Sequence, residues 1–190
     1  MFRPLLMLPL LLFLTACQGP QVQRDFDPQR DFSVYRSWSW QEPALQYRPD
    51  DPRIQSDLTE QRLRSAVSEE LDQRGLRPAA PGNEPDLRVQ AWLIVEEHTQ
   101  QFTSTSAGAW GSPWQGFWGG PMFMDTRTFH YQVGTLQLDL YDADEGKLVW
   151  RGSSQRVLRD NPGSPQERAD WLRESVSEIL AHYPPSASPR

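Results

Sequence analysis

Three sets of side chains in this sequence have types that could do chemistry: His98, His130 and His182; Asp139, Asp142, Asp144 and Glu145; and the pair Ser153–Ser154. A zinc site needs three or four nitrogen, sulfur or oxygen ligands. His98 and His130 flank a long irregular stretch and meet only if their strands pair, and no third ligand stands at a completing distance. Polar residues at strand ends is therefore the reading they favour. A calcium loop requires alternating oxygen ligands, a glycine at its sixth position and a later bidentate glutamate. Counted from Asp142, Gly146 falls fifth and no matching glutamate follows, so the carboxylates read as a solvated turn. Ser153 and Ser154 follow Gly152 without the G-x-S-x-G pattern of a nucleophile elbow. Gly116-x-x-Gly119-Gly120 lacks the preceding strand and following capped helix that a phosphate cradle needs. The expectation is a chain that is not an enzyme and that holds no metal and no cofactor.

The positive lead is aromatic. Residues 99–129 pass from Thr and Ser into a Gly- and Pro-rich stretch containing Trp110, Trp114, Phe117 and Trp118. Its glycines and prolines argue against a helix or a long regular strand. A structureless connection of that length inside a domain usually signals function or disorder. Each ring offers roughly 150–250 Å² for burial. Four exposed together would approach or exceed the roughly 300–600 Å² of the largest apolar patch on a typical soluble monomer. Something should cover them: either they fold back over a sheet face near Trp92 and Ile94, or a binding partner does.

Composition bounds the rest. The chain has 190 residues, a formal charge of −6 and one lysine, Lys147. A domain near 150 residues can bury roughly 68–70% of its unfolded surface. It needs no disulfides, and a single cysteine permits none within the chain. An acidic balance without a basic stripe excludes nucleic acid as a partner, because phosphate recognition needs clustered cations.

At the N-terminus Arg3 precedes an apolar run from Leu5 to Leu14, too short and wrongly flanked to span a bilayer. Leu14-Thr15-Ala16-Cys17 follows and resembles the lipobox of bacterial lipoprotein signal peptides. That resemblance implies cleavage before Cys17. It also implies a thioether-linked diacylglycerol on that cysteine and an amide-linked acyl chain such as palmitate. Two or more chains hold a protein stably on a membrane, where one does not. Gln18, standing where an aspartate would retain the protein at the inner membrane, implies export to the outer membrane with the body facing the periplasm. The expected organisation is a signal peptide over 1–16, a tether over 17–30, one domain over 31–185 with an insertion at 99–129, and a disordered tail over 186–190.

The elements that position these residues read in order. Phe32, Val34, Trp38 and Trp40 alternate as a first strand ending before Pro43, and 43–52 reads as a loop. Asp57 with Glu60 reads as a capping box, followed by the stripe Leu58, Leu63, Ala66, Val67 and Leu71 and a Gly75 stop. Leu87, Val89, Ala91, Leu93 and Val95 form a second strand, central because Trp92 and Ile94 make its other face partly apolar. Leu136, Leu138 and Leu140, the turn 142–146, then Leu148 and Trp150 form a hairpin, with Lys147 and Arg151 facing out. Ser164, Pro165 and Glu167 cap a last helix whose face carries Ala169, Leu172, Val176, Ile179, Leu180 and Tyr183. The order β-α-β-β-β-α predicts an α+β fold: a four-stranded, mainly antiparallel sheet with two helices on one face.

Four segments carry a resemblance: 31–40 (Asp31-Phe32-Ser33-Val34-Tyr35-Arg36-Ser37-Trp38-Ser39-Trp40), Pro85-Asp86-Leu87, Gly134-Thr135-Leu136 and 146–152 (Gly146-Lys147-Leu148-Val149-Trp150-Arg151-Gly152). On them, residues 25–185 resemble the domain of unknown function 4136 family of bacterial lipoproteins. The resemblance implies this fold and export, and brings no catalytic residue with it. The chain departs from plainer members in the tryptophans of 110–118. The functional expectation is a non-catalytic envelope lipoprotein, joined to the membrane through Cys17, that binds an envelope protein through its aromatic loop. The alternative is a lipid or another small apolar ligand, and a hydrolase is the poorest reading.

Overall fold

The alternation of Leu136, Leu138 and Leu140 with polar residues makes one face of a strand insoluble, and all three leucines are fully buried. They belong to β5 in the computed structural model, which describes residues 21–107, 122–158 and 164–185. Six strands form one sheet: β1 (Gln21–Phe26), β2 (Ser37–Arg48), β3 (Arg77–Pro78), β4 (Leu87–Ala107), β5 (Met122–Asp142) and β6 (Leu148–Leu158). Their order is β1-β6-β5-β4-β2-β3. The pairs among β1, β6, β5 and β4 are antiparallel, while β2 runs parallel to both β4 and β3. Helices α1 (Asp57–Gln73) and α2 (Pro165–Leu180) share a single core with one face of the sheet, from Trp38 and Leu45 across Leu87 and Val89 to Trp150.

The class is α+β with two helices and the pairing is mainly antiparallel, but among the described residues the sheet has six strands rather than four. Residues 21–26, expected within a tether over 17–30, are an edge strand paired with β6 from Gln21↔Gln155 to Phe26↔Trp150. Only Phe26 of that strand packs against the core among its described side chains, so periodicity had little to report. The expected first strand starts late and runs on. Phe32–Val34 is a 3-10 turn capped by Asp31, whose carboxylate accepts from the Ser33 amide. The strand then spans Ser37–Arg48, through Pro43. A register shift between Trp40 and Leu45 leaves Pro43 outside the ladder, where its missing N–H costs nothing.

Helix ends follow local chemistry. The cap of α1 is Ser56, whose hydroxyl accepts from the Thr59 amide at 3.4 Å, and Asp57 is the first helical residue. Leu58, expected on the buried stripe, is exposed. Gly75 takes φ +83°, and the Leu76 amide returns to the Leu71 carbonyl at 3.0 Å, closing the helix as a Schellman motif. Ser164 and Glu167 form the expected capping box on α2, with Pro165 in the first turn.

The hairpin turn between β5 and β6 is built by Asp142, whose Oδ1 accepts the amides of Asp144 and Glu145 at 3.0 and 2.9 Å. Gly146 closes it at φ +67°. A bulge at Leu140/Tyr141 buries both Val149 and Trp150 and leaves Leu148 half-exposed. Two of the segments that carry the resemblance acquire a reason here. Asp86 enters β4 with its Oδ2 accepting the amides of Arg36 and Ser37, both at 2.8 Å, which splints the start of β2 to β4. Those N–H donors, Arg36 first, hold its carboxyl below the usual range.

The segment before β2 is clasped to the hairpin turn. Arg30 donates to Glu145 at 2.7 and 3.1 Å, and the Tyr35 hydroxyl donates to Asp142 at 2.9 Å. Arg30, then Lys147, hold the Glu145 carboxyl down at about 2, against an ordinary 4.5. A pKa depressed in the folded state stabilises fully above pH 4.5 and is lost as pH falls through about 2. Urea midpoints measured across that window should therefore fall less steeply in Arg30→Ala than in the parent chain. Equal slopes would show that the clasp is idle.

Candidate functional site: an aromatic-faced ribbon

Pairing between β4 and β5 is unbroken from Leu87↔Asp142 to Ala107↔Met122. Their outer neighbours stop early: β2 last pairs at Arg48↔Ile94 and β6 at Leu158↔Gln132. Beyond those points β4 and β5 have only each other among the described residues. At roughly 3.3 Å per residue the ten pairs from Tyr131 to Met122 project about 33 Å from the sheet. Residues 99–107 and 122–129 were expected in an irregular insertion. They are strand because alternating Thr and Ser suit a pleated backbone and find cross-strand partners. Thr103 Oγ1 lies 3.3 Å from Thr126 Oγ1, and Thr99 Oγ1 lies 3.2 Å from His130 Nδ1.

A two-stranded ribbon presents two faces, and these differ. On the face continuous with the helix-free side of the sheet, His98 stacks on Tyr131 at 5.6 Å, and Phe102 meets Phe129 edge-on at 5.7 Å. Phe102 is 54% and Phe129 51% exposed. Val157, 57% exposed, extends this stripe onto β6 beside Val133. The opposite face carries Thr99, Gln101, Thr103, Thr126 and Thr128, with Met124 as its large apolar residue among those described. Thr99–Ala107 contains no charge, proline or bulge, the devices by which a strand guards its own edge against another strand or surface.

Away from the ribbon the same side of the sheet turns polar. Asp139 is fully buried there, gripped by Arg151 through Nε at 2.6 Å and a terminal nitrogen at 2.7 Å. Gln137 Nε2 at 3.1 Å and the Tyr141 hydroxyl at 3.3 Å complete its partners. Burial, then Asp139, raises the Tyr141 hydroxyl above its ordinary range. A carboxylate so enclosed presents no lone pair to a substrate. Asp142 and Glu145 are spent on the turn and on Arg30, so the four carboxylates do not converge. His98 and His130 reach the root of the ribbon on opposite faces, and His182 follows α2. Ser154 Oγ meets Glu178 at 3.4 Å. Among the described residues no group of three or more His, Cys, Asp or Glu could hold a metal ion.

Cys17 and the aromatic candidates Trp110, Trp114, Phe117 and Trp118 lie outside the described residues. The chain places the first four positions before β1 and the others between the paired Ala107 and Met122. Phe102, Phe129 and Tyr131 were missed at the sequence level. The alternation Phe129-x-Tyr131-x-Val133 is the signal that would have found the last two.

A family model described as a domain of unknown function, DUF4136, matches residues 22–185. No curated protein matches the chain by sequence. Among solved structures it is similar to a PDZ domain protein from Parabacteroides distasonis: 13% identity, TM-score 0.54, 89% of this chain and 36% of that one. The chain thus spans about a third of that protein's length. It is also similar to a DUF4136 family protein from Bacteroides thetaiotaomicron, at 20% identity and TM-score 0.49, over 87% of this chain and 96% of that one. A third is the PelC dodecamer from Paraburkholderia phytofirmans, at 13% identity and TM-score 0.45, over 86% and 96%. No helix among the described residues is long and apolar enough to cross a membrane.

Proposed function

Because the chain belongs to the domain of unknown function 4136 family, whose description names no activity, we propose a role by contact rather than turnover. The protein is a non-catalytic envelope module, acylated at Cys17 and held at the outer membrane with its body in the periplasm. Its contact surface for a protein partner is the aromatic segment that joins the strands of the β4–β5 ribbon. One observation supports this above the others: ten strand pairs of β4 and β5 extend past every neighbouring strand described, and the sequence places that segment between their last pair, Ala107 and Met122. A ribbon of that length has little to gain from folding alone, since a two-stranded hairpin is marginal in water. Trp110, Trp114, Phe117 and Trp118 are the proposed contacts to an envelope protein. Replacing Trp114 and Trp118 by alanine should abolish recovery of crosslinked envelope proteins from intact cells while leaving the circular dichroism melt unchanged. Undiminished recovery would refute the role of that segment.

A further inference from the structure

The geometry points to the anchoring membrane itself as the surface on which the aromatic face of the ribbon rests. This rests on acylation of Cys17, proposed above, and follows from three features of the fold.

The first is direction. β1 runs antiparallel to β6, and Gln21 pairs with Gln155, which pairs with Thr135 of β5. Towards lower numbers, β1 therefore heads the same way as β5 does on its course to Met122. The N-terminal exit and the ribbon leave the sheet at one end.

The second is length. Three residues separate Cys17 from Gln21, and the four Cα–Cα steps span at most about 14 Å when fully extended. From the level of Thr135 the ribbon runs 13 residues to Met122, about 43 Å. A ribbon pointed straight at the bilayer would pass roughly 30 Å beyond the anchored residue, a full hydrocarbon core. Hydrocarbon forbids that, because among the described residues neither ribbon edge has a strand to pair its N–H and C=O groups. Two orientations survive: along the membrane surface, or away from it.

The third feature decides between them. Pointing away, the far end of the sheet would face the membrane, and β5 runs seven residues from Thr135 to Asp142, about 23 Å, farther than a tether of about 14 Å can double back. Along the surface, Phe102, Phe129, Tyr131 and Val157 meet the interface, where aromatic rings are favoured. The face bearing Thr99, Gln101, Thr103, Thr126 and Thr128 meets water. Arg127, on the aromatic face, already pairs with Asp125 at 2.9 Å, so that end brings no net charge to the lipid.

The test uses the acylated full chain reconstituted into vesicles of phosphatidylethanolamine and phosphatidylglycerol. Adjacent exposed positions on opposite faces, Phe129→Cys and Thr128→Cys, each carry an environment-sensitive dye. Quenchers built into the lipid tails should dim the label at 129 severalfold more than that at 128. Mass spectrometry of the mature protein reports acylation separately. A mature chain without acyl groups overturns both the anchor and this orientation. An acylated, vesicle-bound chain whose two labels respond alike overturns the orientation alone. So does a label at 129 that is shielded only when crosslinked envelope protein is present, which would assign the face to a protein.

Discussion

Trp150→Ala is expected to lower stability by about 3–5 kcal/mol, the range for removing a large aromatic from a packed core. Trp150 is fully buried at the centre of the helix-facing side of β6, with its ring edge-on to Tyr183 at 5.6 Å. It stands where the hairpin, α2 and the chain end meet, since Tyr183 also contacts Phe32 at 5.8 Å. Truncation therefore opens a cavity walled by three segments that cannot all close on it. Denaturant unfolding followed by circular dichroism reads the change. A loss below about 1 kcal/mol would mean that the core collapses to fill the gap and that Trp150 is no keystone.

Gly152→Ala should be the next most damaging single change, at about 1–3 kcal/mol from overpacking. A methyl group at Gly152 would lie 2.4 Å from Cη2 of Trp150 and 2.6 Å from Cγ2 of Ile179. Both neighbours are fully buried, one a rigid ring and the other an α2 core residue, so neither can step aside cheaply. The same urea titration applies, and Trp150→Phe in the Gly152→Ala background should recover part of the loss by freeing that space. A Gly152→Ala chain as stable as the parent would show that α2 shifts without cost. Together these two residues explain the family segment Gly146–Gly152 physically: a turn, a bulge, a large ring, and the gap that admits it.

Much of this was legible in the residues alone. The α2 cap at Ser164, Pro165 and Glu167, the Gly75 stop, the Asp142–Gly146 turn and the alternating leucines of β5 all depend on neighbours within a few positions. The bulged return of β6, with Leu148 left outside, escaped simple alternation, because one extra residue reverses which side chains point inward. The candidate site was legible only in its character. Tryptophan density marked 110–118 as the lead, while the rings the fold displays, Phe102 and Phe129, stood in a stretch whose Thr and Ser read as loop.

By itself, then, the sequence determined the class, the two helices and the hairpin, because each is written in local spacing and local hydrogen-bond chemistry. Tertiary structure alone decided that residues 21–26 become an edge strand and that β2 passes through Pro43. It alone decided that β4 and β5 outrun their neighbours. Those outcomes turn on which distant backbone N–H and C=O groups find one another, from Arg48 with Ile94 to Gln21 with Gln155, and on where the neighbouring strands stop. No side-chain pattern records that pairing, and it is the pairing that sets one face of the ribbon in rings and the other in hydroxyls.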